Sequence, residues 1–340
     1  MGISIIGRAA LGGSLLVLMA GAAAAETVTL RYSNWLPTTY FINTDLIFPW
    51  IAEVEKVTEG RVKIEPTPKV VGSAPTQFDV VADGQADIGF VVPGYTPGRF
   101  PLIEGFELPF YGDQPAKRSP ATWEVYEKNV APLNIFEGVH VLTLFSGSPA
   151  HLFTTKEPIV TVEGLKGAKL RSPQPATTEM LNLLGAVPVV KPVPEIYELA
   201  AGGVIDGGII TPETVTGFKL EGVLKQLSFY PGGLASTVNM LAINPDSWER
   251  ISEQDRAAIT AISGAVLAQQ SGDAHQKAVD AALSSFEGLG VVRADAAPEV
   301  VTQIQGIIAP IEADWIARAK NAGLADPQAM LDDLRAATAK

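Results

Sequence analysis

The chain has 340 residues, of which 25 are Lys or Arg and 37 are Asp or Glu, so its net charge at pH 7 is −12. An acidic surface repels phosphate backbones, which argues against a nucleic acid as the partner. The length predicts about two domains, the 47% of hydrophobic residues suffices for sizeable cores, and the absence of cysteine excludes disulfides as their support.

The first 25 residues have the pattern of a secretory signal peptide. Arg8 is their only charged side chain, an apolar run from Leu15 to Ala20 follows, and small residues ending in Ala23-Ala24-Ala25 come next. A positive start, a short apolar core and an A-x-A site are typical of a cleavable export signal. We therefore expect residues 1–25 to be removed and the mature protein to be exported and soluble. An uncleaved membrane anchor is the alternative.

Predicted strands and helices alternate after this segment. Apolar alternation indicates strands, and apolar residues at helical spacing indicate helices. In chain order they are a strand Val28–Ser33, a helix Asp45–Val57 ended by Gly60, a strand Arg61–Glu65, a helix Gln77–Ala82 and a strand Asp87–Val92. This order predicts a mostly parallel sheet covered by helices.

The same order returns further along the chain. Its members are a strand Lys169–Arg171, a helix Thr177–Leu184, a strand Val187–Val190, a helix Glu195–Ala201 and a strand Ile205–Ile210. Residues 75–89 and 194–208 align without a gap, with Gly84 opposite Gly203 and Asp87 opposite Asp206. We therefore predict an α/β protein of two similar lobes joined by a hinge, with a central cleft for a small ligand.

The remainder of the chain is predicted to be helical. Glu253–Phe286 is rich in Ala, with Gly264 and Gly272 as candidate breaks. Two or three helices follow from Pro298 to Ala337, with Pro310 and Pro327 as expected boundaries. These helices are expected to brace both lobes. We assign residues 26–147 and about 237–275 to the first lobe, and residues 148–236 and about 276–340 to the second lobe with its bracing helices.

Signatures of catalysis are scarce in this sequence. Its histidines are His140, His151 and His275, and we expect His275 on the surface of the long helix. Ser146-Gly147-Ser148 lacks the G-x-S-x-G spacing of a nucleophile elbow, and no P-loop, dinucleotide fingerprint or H-E-x-x-H occurs. The sequence therefore favours binding over catalysis, and we predict no metal site and no cofactor.

Arg171 is the most informative single residue. It lies at the carboxyl end of a predicted parallel strand, just before the turn at Pro173. Ligands of open α/β sheets bind beyond such strand ends, and a guanidinium there can hold a carboxylate by two parallel hydrogen bonds. A surface ion pair with a nearby Asp or Glu is an equal alternative from position alone.

Several short motifs occur together along the chain, each of them weak alone. They are Thr58–Ile64, Gly84–Gly89, Leu108–Phe110, Lys156–Pro158, Val162–Pro173, Leu184–Val189, Glu195–Leu199, Gly203–Gly207 and Ala242–Trp248. In this combination, and most clearly from Phe153 to Gly208, the sequence resembles the DctP family, the substrate-binding subunits of TRAP (tripartite ATP-independent periplasmic) transporters. The resemblance spans nearly the whole mature chain.

The resemblance implies a two-lobed periplasmic-binding-protein fold that works without ATP hydrolysis. It implies a periplasmic protein that binds a small organic acid and delivers it to the small and large membrane subunits of the transporter. We expect this protein to be a monomer. The family's carboxylate-binding arginine falls on Arg171, which favours the ligand contact over the surface ion pair. Two other functions stay open. One is an ABC-type binding protein, and the other is a secreted enzyme that uses His151 and a nearby carboxylate as acid and base on carboxylic acids.

The sequence departs from the family pattern at two places. Many members carry Asn or Gln with Glu after the Asp-Gly, whereas this chain has Gly207-Gly208-Ile209-Ile210-Thr211-Pro212, so Thr211 is the candidate replacement contact. Many members carry Arg where this chain has His151. Two arginines suit a dicarboxylate. One Arg and one His favour a 2-oxo or 2-hydroxy monocarboxylate, with a C4-dicarboxylate as the alternative, and the aromatic residues of the expected cleft loops favour an aromatic or branched apolar tail. A core position is the alternative for His151.

The loops at the expected cleft are rich in aromatic and amide side chains. Aromatic rings there can sandwich an apolar ligand body while Arg171 holds its charge, and core packing of these rings is the alternative. We expect about half of the aromatic side chains to touch ligand. The predicted ligand contacts are Asn34, Trp35, Tyr40, Phe41, Tyr95, Phe145, His151, Arg171, Pro173, Thr211, Tyr230 and Ser236.

Overall fold

A computed structural model describes Met1 and residues 27–339 of the chain. Apart from Met1, the predicted signal peptide lies outside the described residues. Within the described part, none of the helices combines the length and the apolar character that a bilayer crossing needs.

The strands and helices alternate as predicted from the sequence. For two strands (28–33 and 187–190) and one helix (77–82), the predicted limits are the same as those in the structure. In chain order the strands are β1 (Val28–Ser33), β2 (Val62–Pro66), β3 (Ile88–Val91), β4 (His140–Ser146), β5 (His151–Thr154), β6 (Lys169–Ser172), β7 (Val187–Val190), β8 (Gly207–Ile210), β9 (Gln226–Phe229), β10 (Val238–Ile243) and β11 (Val292–Asp295).

Many helices start with proline at the first turn, where its missing N–H leaves no hydrogen bond unmade. The helices are α1 (Phe48–Val57), α2 (Gln77–Ala82), α3 (Pro115–Asn129), α4 (Val162–Leu165), α5 (Pro175–Leu183), α6 (Ile196–Ala201), α7 (Pro212–Gly217), α8 (Pro245–Glu249), α9 (Glu253–Ala261), α10 (Gly264–Ser285), α11 (Pro298–Asn321) and α12 (Pro327–Ala339). A π-helical segment, Ile42–Ile47, leads directly into α1.

The strands form two separate sheets, which confirms the predicted two-lobed α/β fold. The first has the order β2-β1-β3-β10-β4, and the second has the order β11-β9-β5-β8-β6-β7. β1 is parallel to β2 and β3, while β10 is antiparallel to its neighbours β3 and β4. In the second sheet β5 is antiparallel to β8 and β9, and the other pairs are parallel. Each sheet is therefore mostly parallel with one reversed strand, and we call the sheets with their helices the first and second lobes.

The chain crosses between the lobes through two segments that are hydrogen-bonded to each other. The first runs from β4 to β5 and the second from β9 to β10. Gly147 N donates to Thr237 O at 2.8 Å, Ala150 N to Ala235 O at 2.8 Å, and Leu234 N to Ala150 O at 2.8 Å. This pairing makes a short two-stranded ribbon, which is the hinge between the two lobes. The residue limits assigned to the lobes stay a prediction.

The long helical region differs from the prediction at two positions. Gly264 separates α9 from α10 with a left-handed φ of 51°, as expected of a break. Gly272 lies inside α10 and does not break it. A Cβ at this position would come 2.8 Å from the carbonyl oxygen of Pro115, so the close packing of α10 against α3 requires glycine. Pro310 likewise lies inside α11 and is not a boundary, whereas Pro327 does start α12.

The C-terminal helices bridge the lobes. α10 contacts α3 and β4 beside the first sheet and α7 beside the second. α11 contacts α4 and α5 of the second lobe and reaches the segment Ile103–Glu107. There the fully buried Trp315 donates from Nε1 to Pro101 O at 2.9 Å. A single apolar cluster therefore extends from the first lobe through these helices into the second.

Candidate functional site

A cavity lies between the lobes at the carboxyl ends of parallel strands. This is the position at which open α/β sheets bind ligands. Both lobes and both crossing segments contribute to its wall. The lining residues are Trp35, Leu36, Tyr40, Ile42, Phe90, Val92, Tyr95, Gly147, Ser148, Ala150, Arg171, Pro173, Val193, Ile209, Ile210, Thr211, Glu213, Thr214, Phe218, Thr237, Asn239 and His275.

Arg171 reaches the cavity from the end of β6 and is 2% exposed. Its Nε donates to Lys191 O at 2.8 Å and its Nη1 donates to Ile209 O at 3.0 Å. These carbonyl groups orient the guanidinium, whereas the buried Nη2 has no hydrogen-bond partner among the described residues. The surface ion pair considered from the sequence is therefore absent from the described part of the chain.

The charge of Arg171 is held in a poorly solvated place. Burial lowers the pKa of Arg171, and the nearby Tyr95 hydroxyl opposes that shift. An arginine titrates so far above neutral pH that the group stays a cation. Carbonyl dipoles alone compensate a buried charge poorly, and an anion that supplied two hydrogen-bond acceptors would complete the site.

Aromatic side chains of the first lobe form one wall beside Arg171. Trp35 donates from Nε1 to Phe90 O at 2.9 Å, which fixes its ring, and its centroid lies 6.2 Å from that of Tyr95. The buried ring of Tyr40 lies 5.3 Å from that of Phe218 of the second lobe. Such a wall presents flat apolar faces to a ligand.

A polar part of the wall includes Glu213, which directly follows Pro212 at the start of α7. Glu213 is 4% exposed, and its Oε2 has no hydrogen-bond partner among the described residues. Burial raises the pKa of Glu213 to about 7, while the nearby hydroxyls of Thr211 and Ser148 act in the opposite direction. A neutral, protonated Glu213 is therefore accessible near neutral pH, unlike an ordinary surface carboxyl group.

His275 lines the cavity from α10, so the prediction of a surface position is wrong. Its Nδ1 lies 2.8 Å from the carbonyl oxygen of Ser271, which can only accept, so Nδ1 carries the hydrogen and Nε2 is an acceptor. Burial lowers the pKa of His275 to about 4, and the ring is neutral at pH 7. The site therefore contains one fixed cation, Arg171, and a neutral imidazole.

The structure places the predicted contacts in two groups. Those in the cavity wall are Trp35, Tyr40, Tyr95, Arg171, Pro173 and Thr211. Others lie behind it: Phe145 and Phe41 have their rings against His275, and Ser236 donates to Gly147 O at 3.2 Å in the hinge ribbon. Asn34 Oδ1 accepts from Leu36 N at 3.1 Å and so shapes the loop after β1.

His151 and Tyr230 are also outside the cavity wall. His151 is buried in β5, its ring stacks on Phe229 at 4.1 Å between centroids, and its Nδ1 accepts from Tyr230 N at 3.3 Å. Burial, with the Arg293 charge, lowers the pKa of His151 to about 3. Tyr230 donates its hydroxyl to Ile159 O at 2.7 Å. The contacts of His151 correspond to the core-histidine alternative and correct its assignment as a ligand contact or acid–base group.

Six polar residues of the wall were not predicted as contacts: Ser148, Glu213, Thr214, Thr237, Asn239 and His275. Glu213 and Thr214 had a usable signal, because they follow the predicted strand end at Ile210 by only a few residues. His275 had none, since the face of α10 that meets the cavity depends on packing against both lobes. Among residues 27–339, no group of three or more His, Asp or Glu is placed to hold a metal ion.

Comparisons with known proteins agree with this architecture. Residues 35–318 match the model of the bacterial extracellular solute-binding proteins of family 7, DctP. The chain is 29% identical over 330 residues, 96% of each chain, to the outer membrane transporter protein TsaT of Comamonas testosteroni.

Solved structures are similar over almost the whole chain. A TRAP periplasmic solute-binding protein of Bordetella bronchiseptica with bound (R)- and (S)-mandelate is 34% identical, with a TM-score of 0.88 over 92% of this chain and 99% of that one. One from Rhodoferax ferrireducens with copurified benzoate is 29% identical, with a TM-score of 0.85 over 92% and 98%. A marine metagenome protein specific for aromatic acid ligands, in complex with 3-hydroxybenzoate, is 29% identical, with a TM-score of 0.86 over 92% and 98%.

Proposed function

This chain belongs to the bacterial extracellular solute-binding proteins of family 7, the DctP family, and from that premise we propose that its ligand is an aromatic monocarboxylate. The protein is a solute-binding protein of the TRAP type and not an enzyme, which confirms the prediction from sequence. This family assignment does not support the alternatives of a secreted enzyme and an ABC-type binding protein.

The observation that carries the proposal is the unpartnered Nη2 of Arg171 in the cavity wall. A ligand carboxylate beside it gains charge-assisted hydrogen bonds in a place where little water screens the charges. The flat faces of Trp35, Tyr40 and Tyr95 lie in the same cavity and suit an aromatic body. The similar proteins from Bordetella bronchiseptica and Rhodoferax ferrireducens hold mandelate and benzoate, each a single carboxylate on an aromatic ring.

The charges of the cavity favour one carboxylate over two. Arg171 is the one Lys or Arg that the described residues contribute to the wall, and His275 is neutral. A second carboxylate would be buried without a cation and would meet Glu213, which repels it when ionised. These features support the monocarboxylate over the C4-dicarboxylate alternative.

We propose that ligand is held in a closed arrangement of the lobes. Tyr40 of the first lobe shares a hydrogen bond with Thr214 of the second at 3.1 Å, and Val193 N donates to Tyr95 Oη at 3.3 Å. Both contacts cross the cavity, so hinge motion at the ribbon would make and break them. The closed form, as a periplasmic monomer, is then proposed to dock on the small and large membrane subunits.

A thermal-shift screen tests the proposed ligand class. Benzoate, hydroxybenzoates, phenylacetate and mandelate should raise the unfolding midpoint, since ligand at 100 times its Kd stabilises the native state by about 2.7 kcal/mol. Succinate, malate and glucuronate serve as comparison ligands, and calorimetry gives the Kd of each ligand that shifts the midpoint. Preference for a C4-dicarboxylate or a sugar acid would contradict the proposal.

Gly217→Ala should weaken ligand binding by impeding closure. A Cβ at Gly217 would lie 2.3 Å from Cδ2 of the Tyr40 ring, so the two lobes cannot meet there without displacement of a buried ring. We expect the Kd to rise tenfold or more, while the free energy of unfolding of the unliganded protein changes little because alanine suits a helix.

The matched control for this variant is Gly306→Ala. Gly306 lies in α11 and a Cβ there would meet no atom within 4 Å, so this variant should bind as the parent does. Unchanged affinity of Gly217→Ala, measured by calorimetry, would show that binding does not need the approach of Tyr40 to α7.

A further inference from the structure

Glu213 is a buried acid in the ligand cavity whose free oxygen needs a partner. More than nine-tenths of its surface is buried, it lines the wall, and its Oε2 has no partner among the described residues. Leaving such an oxygen without a hydrogen bond costs free energy, so structures retain one mainly where a ligand, water or ion completes it. Ser148 Oγ, which also belongs to the cavity wall, is likewise a buried atom without a hydrogen-bond partner among those residues, and its hydroxyl is close enough to Glu213 to have a lowering effect on the pKa of that group.

The neighbours of Glu213 are hydroxyl groups. The hydroxyls of Thr211 and Ser148 act on its pKa, and its charge in turn contributes to the raised pKa of Tyr40. Thr211 Oγ1 lies 2.7 Å from Thr214 Oγ1, and Thr214 Oγ1 lies 3.1 Å from Tyr40 Oη, so these hydroxyls partner each other. Among the described residues no cation forms a salt bridge with Glu213, which leaves its carboxyl group available for a ligand.

A carboxyl group in this place suits a hydroxyl of the ligand. A protonated carboxyl donates to a hydroxyl oxygen, and an ionised one accepts from the hydroxyl hydrogen, so both forms make the contact. With a pKa raised to about 7, both forms are present near neutral pH. A ligand with a hydrogen atom in place of the hydroxyl would leave Oε2 of Glu213 without a hydrogen-bond partner. A second carboxylate on the ligand would be repelled by the ionised form of Glu213.

We propose that Glu213 selects aromatic monocarboxylates that also carry a hydroxyl group, by hydrogen bonding to that hydroxyl while Arg171 holds the carboxylate, and that it rejects a second carboxylate. This selection rests on the proposed function of the cavity. Glu213 is thus the specificity-determining residue of the polar part of the wall.

The experiment is calorimetric titration with a matched series of ligands. The series is benzoate, its 2-, 3- and 4-hydroxy forms, isophthalate, and the pair phenylacetate and mandelate. A hydrogen bond to a charged or buried acid distinguishes ligands by roughly 10- to 100-fold. The parent protein should therefore bind the best hydroxylated ligand at least about 10-fold tighter than its unsubstituted partner. Isophthalate should bind more weakly than benzoate.

Variants then assign this preference to Glu213. Glu213→Ala should reduce the hydroxyl preference to within about twofold, because the contact to the ligand hydroxyl is lost. Glu213→Gln keeps the shape of the side chain, and its amide both donates and accepts hydrogen bonds. This variant should retain part of the hydroxyl preference and bind isophthalate more tightly than the parent protein does. Glu198→Ala, at an exposed position of α6, removes the same charge outside the cavity and should leave every Kd unchanged.

The outcomes separate this inference from the proposed function. A parent protein that binds benzoate and hydroxybenzoates equally, or a Glu213→Ala variant that keeps the full preference, overturns the role of Glu213 and leaves the proposed function standing. Failure of the parent protein to bind any aromatic monocarboxylate overturns both. The comparison within the parent protein decides the hydroxyl preference even where a variant folds poorly.

Discussion

Arg171→Ala should abolish ligand binding while the protein stays folded. The guanidinium is the one Lys or Arg side chain that the described residues place in the cavity wall, and its Nη2 is free to hold the ligand. Removing one partner of a buried, hydrogen-bonded charge pair costs about 3 kcal/mol or more, which is a loss of affinity of about 100-fold or more. Calorimetric titration with the ligand that binds the parent protein tightest measures this loss.

The stability of the unliganded protein should change little in this variant. Alanine loses the hydrogen bonds to Lys191 O and Ile209 O, but it also removes a buried cation whose desolvation opposes folding. We expect the free energy of unfolding to stay within about 1 kcal/mol of the parent value, because these two effects have opposite signs. Urea unfolding followed by circular dichroism distinguishes lost binding from lost folding.

Two controls sharpen the interpretation of Arg171→Ala. Arg171→Lys keeps the charge but loses the planar fork, so it should bind with intermediate affinity. Lys156→Ala removes one positive charge from an exposed position of the second lobe and should bind as the parent does. If Arg171→Ala kept its affinity within about threefold of the parent value, a change of less than about 1 kcal/mol, Arg171 would not be the group that holds the ligand carboxylate.

Trp315→Ala should be the most destabilising single substitution considered for this chain. The side chain is fully buried, and its ring fills the space over Gly105, where a Cβ would lie 2.2 Å from the ring. Its Nε1 also donates to Pro101 O. Truncating a buried tryptophan to alanine costs roughly 3–5 kcal/mol, which here removes the anchor of α11 on residues 101–105.

Chemical unfolding of the unliganded variant measures this cost. Trp315→Phe should lose less, since most of the apolar contact remains and only the hydrogen bond and part of the ring are gone. Gln303→Ala, at an exposed position of the same helix, should change the free energy of unfolding by less than about 0.5 kcal/mol. A loss of less than about 1 kcal/mol in Trp315→Ala would show that α11 does not brace the lobes.

Local sequence was sufficient to predict the order of the strands and helices and to make Arg171 a candidate for the site. The spacing of apolar residues located β1, α2 and β7 with their observed limits, because strand and helix periodicity are properties of neighbouring residues. Arg171 was a candidate because a strand end followed by Pro173 marks the edge at which α/β proteins bind ligands, and the resemblance to the DctP family favoured it over a surface ion pair. Thr211 follows another such strand end, and the structure places it in the wall as well.

Long-range packing explains the positions at which the structure differs from the prediction made from the sequence. Gly272 is a poor helix residue locally, yet it lies inside α10, and the close approach of the α3 backbone explains why the position needs a residue without a side chain. His151 stands next to the crossing segment in sequence, but the pairing of β5 with β9 surrounds it with Phe229 and the backbone of Tyr230. Neither contact can be inferred from neighbours in the chain.

By itself the sequence predicted a two-lobed α/β binding protein, from periodicity and from the order of elements. Position in the sequence made Arg171 a candidate at a strand end, and the resemblance to the DctP family favoured it as the carboxylate contact. Only the tertiary structure decided which groups line the cavity: it brought Glu213 and His275 into the wall and left His151, Tyr230 and Phe145 outside it. The physical reason is that the orientation of a side chain depends on which distant element packs against its own. In this protein α10 packs against α3 and β4 of the first lobe and α7 of the second, and the hinge ribbon joins the two lobes.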